Sequence, residues 1–198
     1  MDPFKLKEEY TFETYLATVG DEEDRSELVR GKIVLMAPAS PRHSFAQAKL
    51  TQMIGSFLEK NKVFNPKTKD PEDTWRYVVE AWTYYGLENC LSHDLAAFSA
   101  KELTKIPEKG PIKVLPIWVC EILSPSNWST DTETKRIILQ NAGVPYYWIV
   151  DPMRKSIAVF VLDSSGEYRV SSFLGESEGP IRLEPFKDLE IRIGDIFS

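Results

Sequence analysis

The first pattern along the chain is helical. Apolar residues recur at the spacing of one helical face over residues 10–19 and again over 41–61, which predicts two amphipathic helices. Ser40 is a suitable N-cap for the second of them. A third helix is predicted over residues 131–142, because Gly143 supplies the glycine that commonly follows the end of a helix.

Between the helices the apolar residues follow the patterns of strands. Residues 117–123 are apolar on both faces except at one position, which is typical of a central strand covered on both sides. The other predicted strands are rich in β-branched and aromatic residues and cover 27–36 (a hairpin or bent strand), 77–85, 94–98, 146–150, 156–162 and 168–174. Because helices and strands are interspersed, we expect an α/β fold with a central mixed β-sheet flanked by α-helices.

Length and composition favour one globular domain. The chain has 198 residues, of which 42% are hydrophobic and 27% charged. We expect a single domain over 1–198, with an N-terminal helix at about 10–19 and a core at about 26–198. The sequence has no stretch of ~18 apolar residues that could span a membrane. Its two cysteines, Cys90 and Cys120, do not have the spacing of a metal site. We therefore expect a cytoplasmic protein with no membrane partner.

Charge and motifs narrow the function. The net charge is −6, so a polyanionic partner would need a local basic surface. Lysines that could form such a surface, or could simply be solvated, are Lys49, Lys60, Lys62, Lys67, Lys69, Lys101, Lys105, Lys109 and Lys113. The sequence lacks a G-x-S-x-G elbow, a phosphate-binding loop, H-E-x-x-H and G-x-G-x-x-G, which argues against several common enzyme classes.

Two charged residues interrupt apolar faces. Glu121 lies in the central predicted strand, where a carboxylate must be paired or bound to a cation. A structural contact, either a buried ion pair or a strand-end hydrogen bond, would satisfy that requirement, and so would a role as a metal ligand. Lys135 shares a helical face with Ile138 and Leu139, so it either points toward the sheet or is a solvated lysine, for example one paired with Asp131.

Two further carboxylates occupy the starts of predicted strands. Asp94 alone would be a turn former, and Glu27 alone would be a solvated charge. With Glu121 and Lys135 they make a set that suits Mg²⁺, which is typically held by one or two carboxylates together with water and phosphate oxygens. Such an ion polarises a phosphoryl oxygen and activates water, while an ammonium group stabilises transition-state charge. The set therefore indicates phosphodiester cleavage.

Four segments resemble the Uma-type restriction endonucleases, a branch of the PD-(D/E)XK nuclease superfamily. They are ELVRGKIVLMAPASPRH (27–43), SHDLAAF (92–98), WVCEILSPSN (118–127) and KRIILQNAGVPYYWIVDP (135–152). Within these segments, the chain differs from the family pattern at three positions. His93 replaces a proline, Leu139 a tyrosine and Tyr146 a glutamate.

The resemblance implies a restriction-endonuclease-like core in which Asp94 and Glu121 bind Mg²⁺, with Mn²⁺ as a possible substitute. Glu27 matches an additional acidic residue of the family, an outer ligand or water-positioning group. The superfamily lysine usually follows the second acid by two residues, where this chain has Leu123, and Lys135 looks like its substitute.

The function implied by the resemblance is a Mg²⁺-dependent DNA endonuclease, expected to act as a homodimer because cutting two strands needs two sites. The alternative is a catalytically inactive nuclease-fold module for nucleic-acid binding or assembly. His43 and Gln47 share a helical face and could contact substrate phosphate, although His43 could equally be a partly exposed residue that caps its helix locally.

Overall fold

The computed structural model describes residues 9–19, 26–61, 73–124, 130–176 and 179–198, with side chains at 130–132 left aside. Its helices are α1 (Phe12–Val19), α2 (Pro41–Lys60), a π-helical turn (Thr130–Lys135) that continues as α3 (Arg136–Ala142), and α4 (Ile193–Phe197). Its strands are β1 (Ser26–Val29), β2 (Lys32–Leu35), β3 (Trp75–Tyr84), β4 (Cys90–Ser99), β5 (Trp118–Ile122), β6 (Tyr146–Asp151), β7 (Ser156–Leu162), β8 (Tyr168–Gly175), β9 (Ile181–Leu183) and β10 (Phe186–Ile191).

Eight of the strands form one mixed sheet. The order is β2-β1-β4-β5-β6-β7-β8, with β3 also paired to β4, while β9 and β10 form a separate antiparallel pair. β5 and β6 are parallel, and the other pairs of the large sheet are antiparallel. The predicted mixed sheet is therefore confirmed.

Two different strands, β1 and β5, pair with separate parts of one edge of β4. β3 pairs with β4 from Cys90 to Ser99 and so occupies the whole of the other edge. β1 pairs with β4 at Cys90, and β5 pairs with it over residues 95–97, so β1 and β5 follow one another along the same edge. Within the described chain, residues 91–94 have no strand partner on that edge. We call this gap the fork.

Helices cover both faces of the sheet. On the α2 face, Leu50 and Ile54 pack with Trp118 and Trp148 in a cluster that also includes α4. On the α3 face, Leu139 belongs to a cluster with sheet residues that include Val119 and Tyr147. Successive β5 residues alternate between the two clusters, which confirms the prediction of a central strand covered on both sides.

Most predicted elements are found near their predicted positions. α1 lies within the predicted helix over 10–19, and the 27–36 hairpin is observed as β1 and β2. α2 begins as predicted, because the Ser40 side chain accepts a hydrogen bond from the His43 amide. Residues 62–73 are polar and contain two prolines, which predicts a surface loop, but except for Asp73 this segment lies outside the described residues.

Two elements differ from the prediction. The strand predicted over 94–98 begins at Cys90, so Asp94 lies inside β4 and not at its start. Ser92 and His93 extend the strand because their polar groups are bound within the protein and both residues are buried. The predicted 131–142 helix starts with a π-helical turn, a change that leaves the apolar pattern of Ile138 and Leu139 unaltered.

No helix in the described part of the chain is long and apolar enough to cross a lipid bilayer.

Candidate active site at the fork

Glu27 and Lys135 occupy the fork and replace a missing strand neighbour of Ser92. Glu27 Oε1 accepts a hydrogen bond from the Ser92 amide at 2.8 Å. The Ser92 carbonyl oxygen accepts one from Lys135 Nζ at 3.0 Å. The main-chain groups of Ser92, which a continuous sheet would pair with another strand, are therefore bound by two side chains.

Lys135 also joins the two carboxylates. Its Nζ lies 2.8 Å from Glu27 Oε1 and 3.3 Å from Glu121 Oε1. All three residues are at most 3% exposed. Lys135 thus points toward the sheet, and the hypothesis of a solvated lysine is wrong. The suggested partner Asp131 has a side chain outside the described residues.

The structure shows how the charge of Glu121 is compensated. Its position within an apolar strand is compensated by the buried ion pair with Lys135. Metal binding by the same carboxylate is compatible with this pair, because a carboxylate has about four lone-pair positions on its two oxygens. The role of Glu121 as a metal ligand remains a prediction.

His93 and Tyr85 extend the buried network beyond Glu121. His93 Nδ1 lies 2.5 Å from Glu121 Oε1, and the Tyr85 hydroxyl lies 2.8 Å from His93 Nε2. Burial lowers the pKa of His93 well below its usual value, and the charge of Lys135 lowers it further. Burial likewise raises the pKa of Tyr85 well above its usual value. Both groups are therefore neutral near pH 7.

Neutrality fixes the direction of these two hydrogen bonds. Ionised Glu121 can only accept, so His93 Nδ1 carries the proton and donates it. His93 Nε2 is then an acceptor, and the protonated Tyr85 hydroxyl donates to it. In the sequence, His93 stands out only as a replacement for proline, and Tyr85 does not stand out. The available signal was a tyrosine at the end of the predicted strand 77–85 and a histidine immediately before the predicted strand 94–98.

Asp94 has a different set of partners. Its Oδ2 accepts a hydrogen bond from the Ile122 amide at 2.6 Å, and its Oδ1 lies 3.0 Å from His43 Nε2. Gln47 Nε2 donates to the Asp94 carbonyl oxygen at 3.2 Å and also to a Glu80 carboxylate oxygen. The two α2 residues proposed as substrate contacts therefore both bind Asp94. His43 is buried, so the hypothesis of a partly exposed local cap is wrong.

A local break in strand alternation explains why His93 and Asp94 have these partners. Leu91 packs with Ile138 on the α3 face, whereas Leu95 packs on the α2 face, although residues four positions apart in a regular strand share a face. The same reversal occurs in β3 around Glu80, whose φ is 51°. This irregularity places the His93 ring with Glu121 and directs the Asp94 carboxylate toward His43.

The structure therefore brings three of the four predicted ionisable groups into direct contact, namely Glu27, Glu121 and Lys135. Asp94 lies next to His93 in sequence and binds the amide that follows Glu121. Among the described residues, no group of three or more His, Cys, Asp and Glu side chains is arranged to hold a metal ion.

The fold and its site can now be compared with known proteins. A solved structure from Anabaena variabilis ATCC 29413, described as a putative nuclease belonging to DUF820, matches with a TM-score of 0.72 at 20% identity, over 94% of this chain and 97% of that chain. The chain thus shares the fold of that protein, and the predicted α/β class with a central mixed sheet flanked by helices is confirmed. Residues 12–194 match the family Uma2, described as "Putative restriction endonuclease". The chain belongs to this family, which confirms the resemblance. No curated protein matches the chain.

Proposed function

We propose that the protein is a Mg²⁺-dependent endonuclease that hydrolyses phosphodiester bonds in DNA. The observation that carries this proposal is the buried cluster of Glu27, Glu121 and Lys135 beside Asp94, in a member of the Uma2 family. A buried ion pair contributes little to stability compared with apolar packing of the same volume. Such a cluster at a gap in the sheet is therefore better explained by chemistry than by stability.

The donor set is compatible with Mg²⁺. This ion commonly uses one or two protein carboxylates and takes its other ligands from water and phosphate oxygens, so a larger protein cage is not required. Asp94 and Glu121 would hold the ion, and Mn²⁺ could substitute for it. When bound, the ion would polarise the phosphoryl oxygen and lower the pKa of its water.

The remaining residues would act through charge and position. The Lys135 ammonium group would stabilise negative charge that develops on the phosphoryl group. Glu27 holds Lys135 at 2.8 Å and would keep it directed toward the fork. His43 and Gln47, already bound to Asp94, are the α2 residues that would lie nearest the phosphate.

Binding of DNA to this acidic protein would require a local basic surface. Of the lysines proposed from the sequence, Lys60, Lys101, Lys105, Lys109 and Lys113 are exposed, Lys49 is half-buried, and Lys62, Lys67 and Lys69 lie outside the described residues. We propose a homodimer, because a double-strand cut requires two sites. A cytoplasmic location is proposed on the ground that Cys90 and Cys120 are buried and form no disulfide.

The decisive experiment is cleavage of supercoiled plasmid DNA in Mg²⁺, in Mn²⁺ and in EDTA. The substitution Glu121→Gln keeps the shape of the side chain but removes its charge, and it should reduce nicking at least 100-fold. Asp94→Asn should have the same effect. Glu176→Gln, on the surface, is the matched control and should cut normally. Undiminished cutting by Glu121→Gln would contradict the assignment.

A second candidate is a nuclease-fold module that binds nucleic acid or assembles with a partner without cutting. It is favoured by the fact that both oxygens of the Asp94 carboxylate already have protein partners, the Ile122 amide and His43. Fluorescence anisotropy with labelled duplex DNA separates the candidates, because this module would bind DNA equally well in EDTA and leave it intact. Sedimentation equilibrium tests the homodimer.

A further inference from the structure

Tyr85 and His93 form a buried unit that ends on one oxygen of Glu121, because His93 bonds to Glu121 through Nδ1 and to the Tyr85 hydroxyl through Nε2. His93 is fully buried, and its ring meets the Tyr85 ring edge-on with centroids 5.6 Å apart. This packing holds the imidazole in place while its two nitrogens hydrogen-bond on opposite sides.

Two donors converge on one oxygen of Glu121. Lys135 Nζ lies 3.3 Å from Oε1, and His93 Nδ1 lies 2.5 Å from the same atom. Rotation of the carboxylate would carry Oε1 away from both donors at once. The ammonium group alone would restrain this rotation weakly, because it is a point charge without a preferred direction and is shared with Glu27 and the Ser92 carbonyl oxygen. The imidazole is planar and anchored, so it defines the direction.

The anchor is the Tyr85 hydroxyl. By donating to Nε2 at 2.8 Å it makes Nε2 the acceptor and therefore keeps the proton on Nδ1, the nitrogen that faces Glu121. Tyr85 directly follows β3 and His93 is the fourth residue of β4, so both are placed by the same hairpin.

We propose that His93, held by Tyr85, is a positioning residue that fixes the orientation in which Glu121 receives a divalent cation. This inference rests on the proposed function, because it assigns a role in the same metal site. The competing explanation is that the two side chains merely satisfy each other's buried polar groups.

Mn²⁺ affinity measured by titration calorimetry tests the proposal without DNA cleavage. His93→Leu should weaken Mn²⁺ binding about 10–100-fold, the usual cost of removing a group that orients a metal ligand. His93→Asn retains a nitrogen donor close to the Nδ1 position and should recover most of the affinity. Tyr85→Phe should show a smaller loss than His93→Leu, because the imidazole remains but its proton is no longer fixed to Nδ1.

Tyr168→Phe is the matched control. Tyr168 is also a tyrosine on the α3 face, and its hydroxyl donates to the Val144 carbonyl oxygen at 2.8 Å. It should bind Mn²⁺ like the wild type. Thermal unfolding followed by circular dichroism establishes that each variant is folded, and His93→Asn keeps the test available if His93→Leu does not fold. Nicking assays should show a reduced kcat with unchanged KM for DNA in Tyr85→Phe.

The outcomes separate this inference from the proposed function. The positioning role would be overturned if Tyr85→Phe, His93→Asn and a folded His93→Leu all bound Mn²⁺ with wild-type affinity. It would also be overturned if Tyr85→Phe and Tyr168→Phe lost equal amounts of Mn²⁺ affinity. Both conclusions hold even if the wild type cuts DNA. Selective loss of Mn²⁺ binding in a protein that never cuts DNA would support the positioning role and contradict the nuclease. A wild type that does not bind Mn²⁺ would overturn both. The ¹⁵N shifts of His93 should independently show a neutral ring protonated at Nδ1.

Discussion

The fork and the outer hairpin of β7 and β8 contain ion pairs of similar geometry in opposite surroundings. At the fork, Lys135 Nζ lies 2.8 Å from Glu27, and both side chains are almost completely buried. At the outer hairpin, Lys155 Nζ lies 2.7 Å from Glu176, with side chains 45% and 44% exposed. Distance alone therefore does not set the energetic importance of an ion pair. Desolvation of the partners decides what happens when one of them is removed.

The largest expected effect is the removal of the shared cation at the fork. Lys135→Ala would leave Glu27 and Glu121 buried beside each other without their ammonium partner. The free energy of unfolding should fall by about 3–5 kcal/mol. Urea denaturation followed by tryptophan fluorescence measures this change, and a loss below about 1 kcal/mol would mean that water reaches the cluster.

A charge-free version of the fork sharpens the comparison. The triple substitution Glu27→Gln, Glu121→Gln and Lys135→Met removes the uncompensated charges together, so it should recover most of the stability lost by Lys135→Ala. It should nevertheless be inactive in the plasmid assay. If this variant is as unstable as Lys135→Ala, the cost arises from packing or lost hydrogen bonds and not from charge.

Burial of Tyr15 beside β1 should make the stability of the protein depend on pH in the alkaline range. Burial raises the pKa of Tyr15 from 10.0 to about 12, and its hydroxyl donates to the Ser26 carbonyl oxygen. A folded-state pKa above the unfolded value means that the stabilisation is complete below pH 10 and is lost as the pH rises toward 12. Over that range the wild type should lose about 2–3 kcal/mol more than Tyr15→Phe. Parallel denaturation curves of the two proteins would contradict this assignment.

Removal of the surface cation should have a small effect. Lys155→Ala breaks the exposed pair with Glu176, and the freed Glu176 carboxylate remains hydrated. The expected change is about 0–1 kcal/mol, and it should diminish in 1 M salt because exposed charges are screened. The same denaturation assay compares it directly with Lys135→Ala. A cost similar to that of Lys135→Ala would remove the distinction between the two regions.

The smallest effect should appear at acid pH in the turn between β7 and β8. The Ser165 hydroxyl, the Glu167 amide and Arg169 hold the pKa of Asp163 well below its usual value. Because the folded-state pKa is lowered, this stabilisation is present above about pH 4 and is lost as the pH falls through the folded-state value. The difference in Tm between wild type and Asp163→Asn should therefore shrink below pH 4. A difference that is constant from pH 7 to pH 2 would contradict this.

Sequence patterns predicted the layers of the fold because burial leaves a periodic trace. Apart from Glu121, the strand from Trp118 to Ile122 is apolar on both sides, and its parallel pairing with β6 follows from the intervening helix. The last strands and α4 were not predicted. β9 has only three residues, and α4 has five, so neither shows a sustained period.

The site was predictable only in part. Glu121 and Lys135 stood out because each interrupts an apolar face, and the structure places them in contact. The partners of Asp94 were not predictable, because alternation along β4 reverses at Asp94 and the same occurs in β3 at Glu80. A one-residue change in alternation exchanges the faces of every following side chain, and no local sequence signal marks it.

The amide hydrogen of Ser92 can report on a single contact within the fork. Its amide donates to a carboxylate of β1, whereas most amides of a sheet donate to a main-chain carbonyl oxygen. Exchange of this single amide hydrogen with deuterated solvent should therefore follow the occupancy of one side-chain contact, and not the opening of the whole sheet.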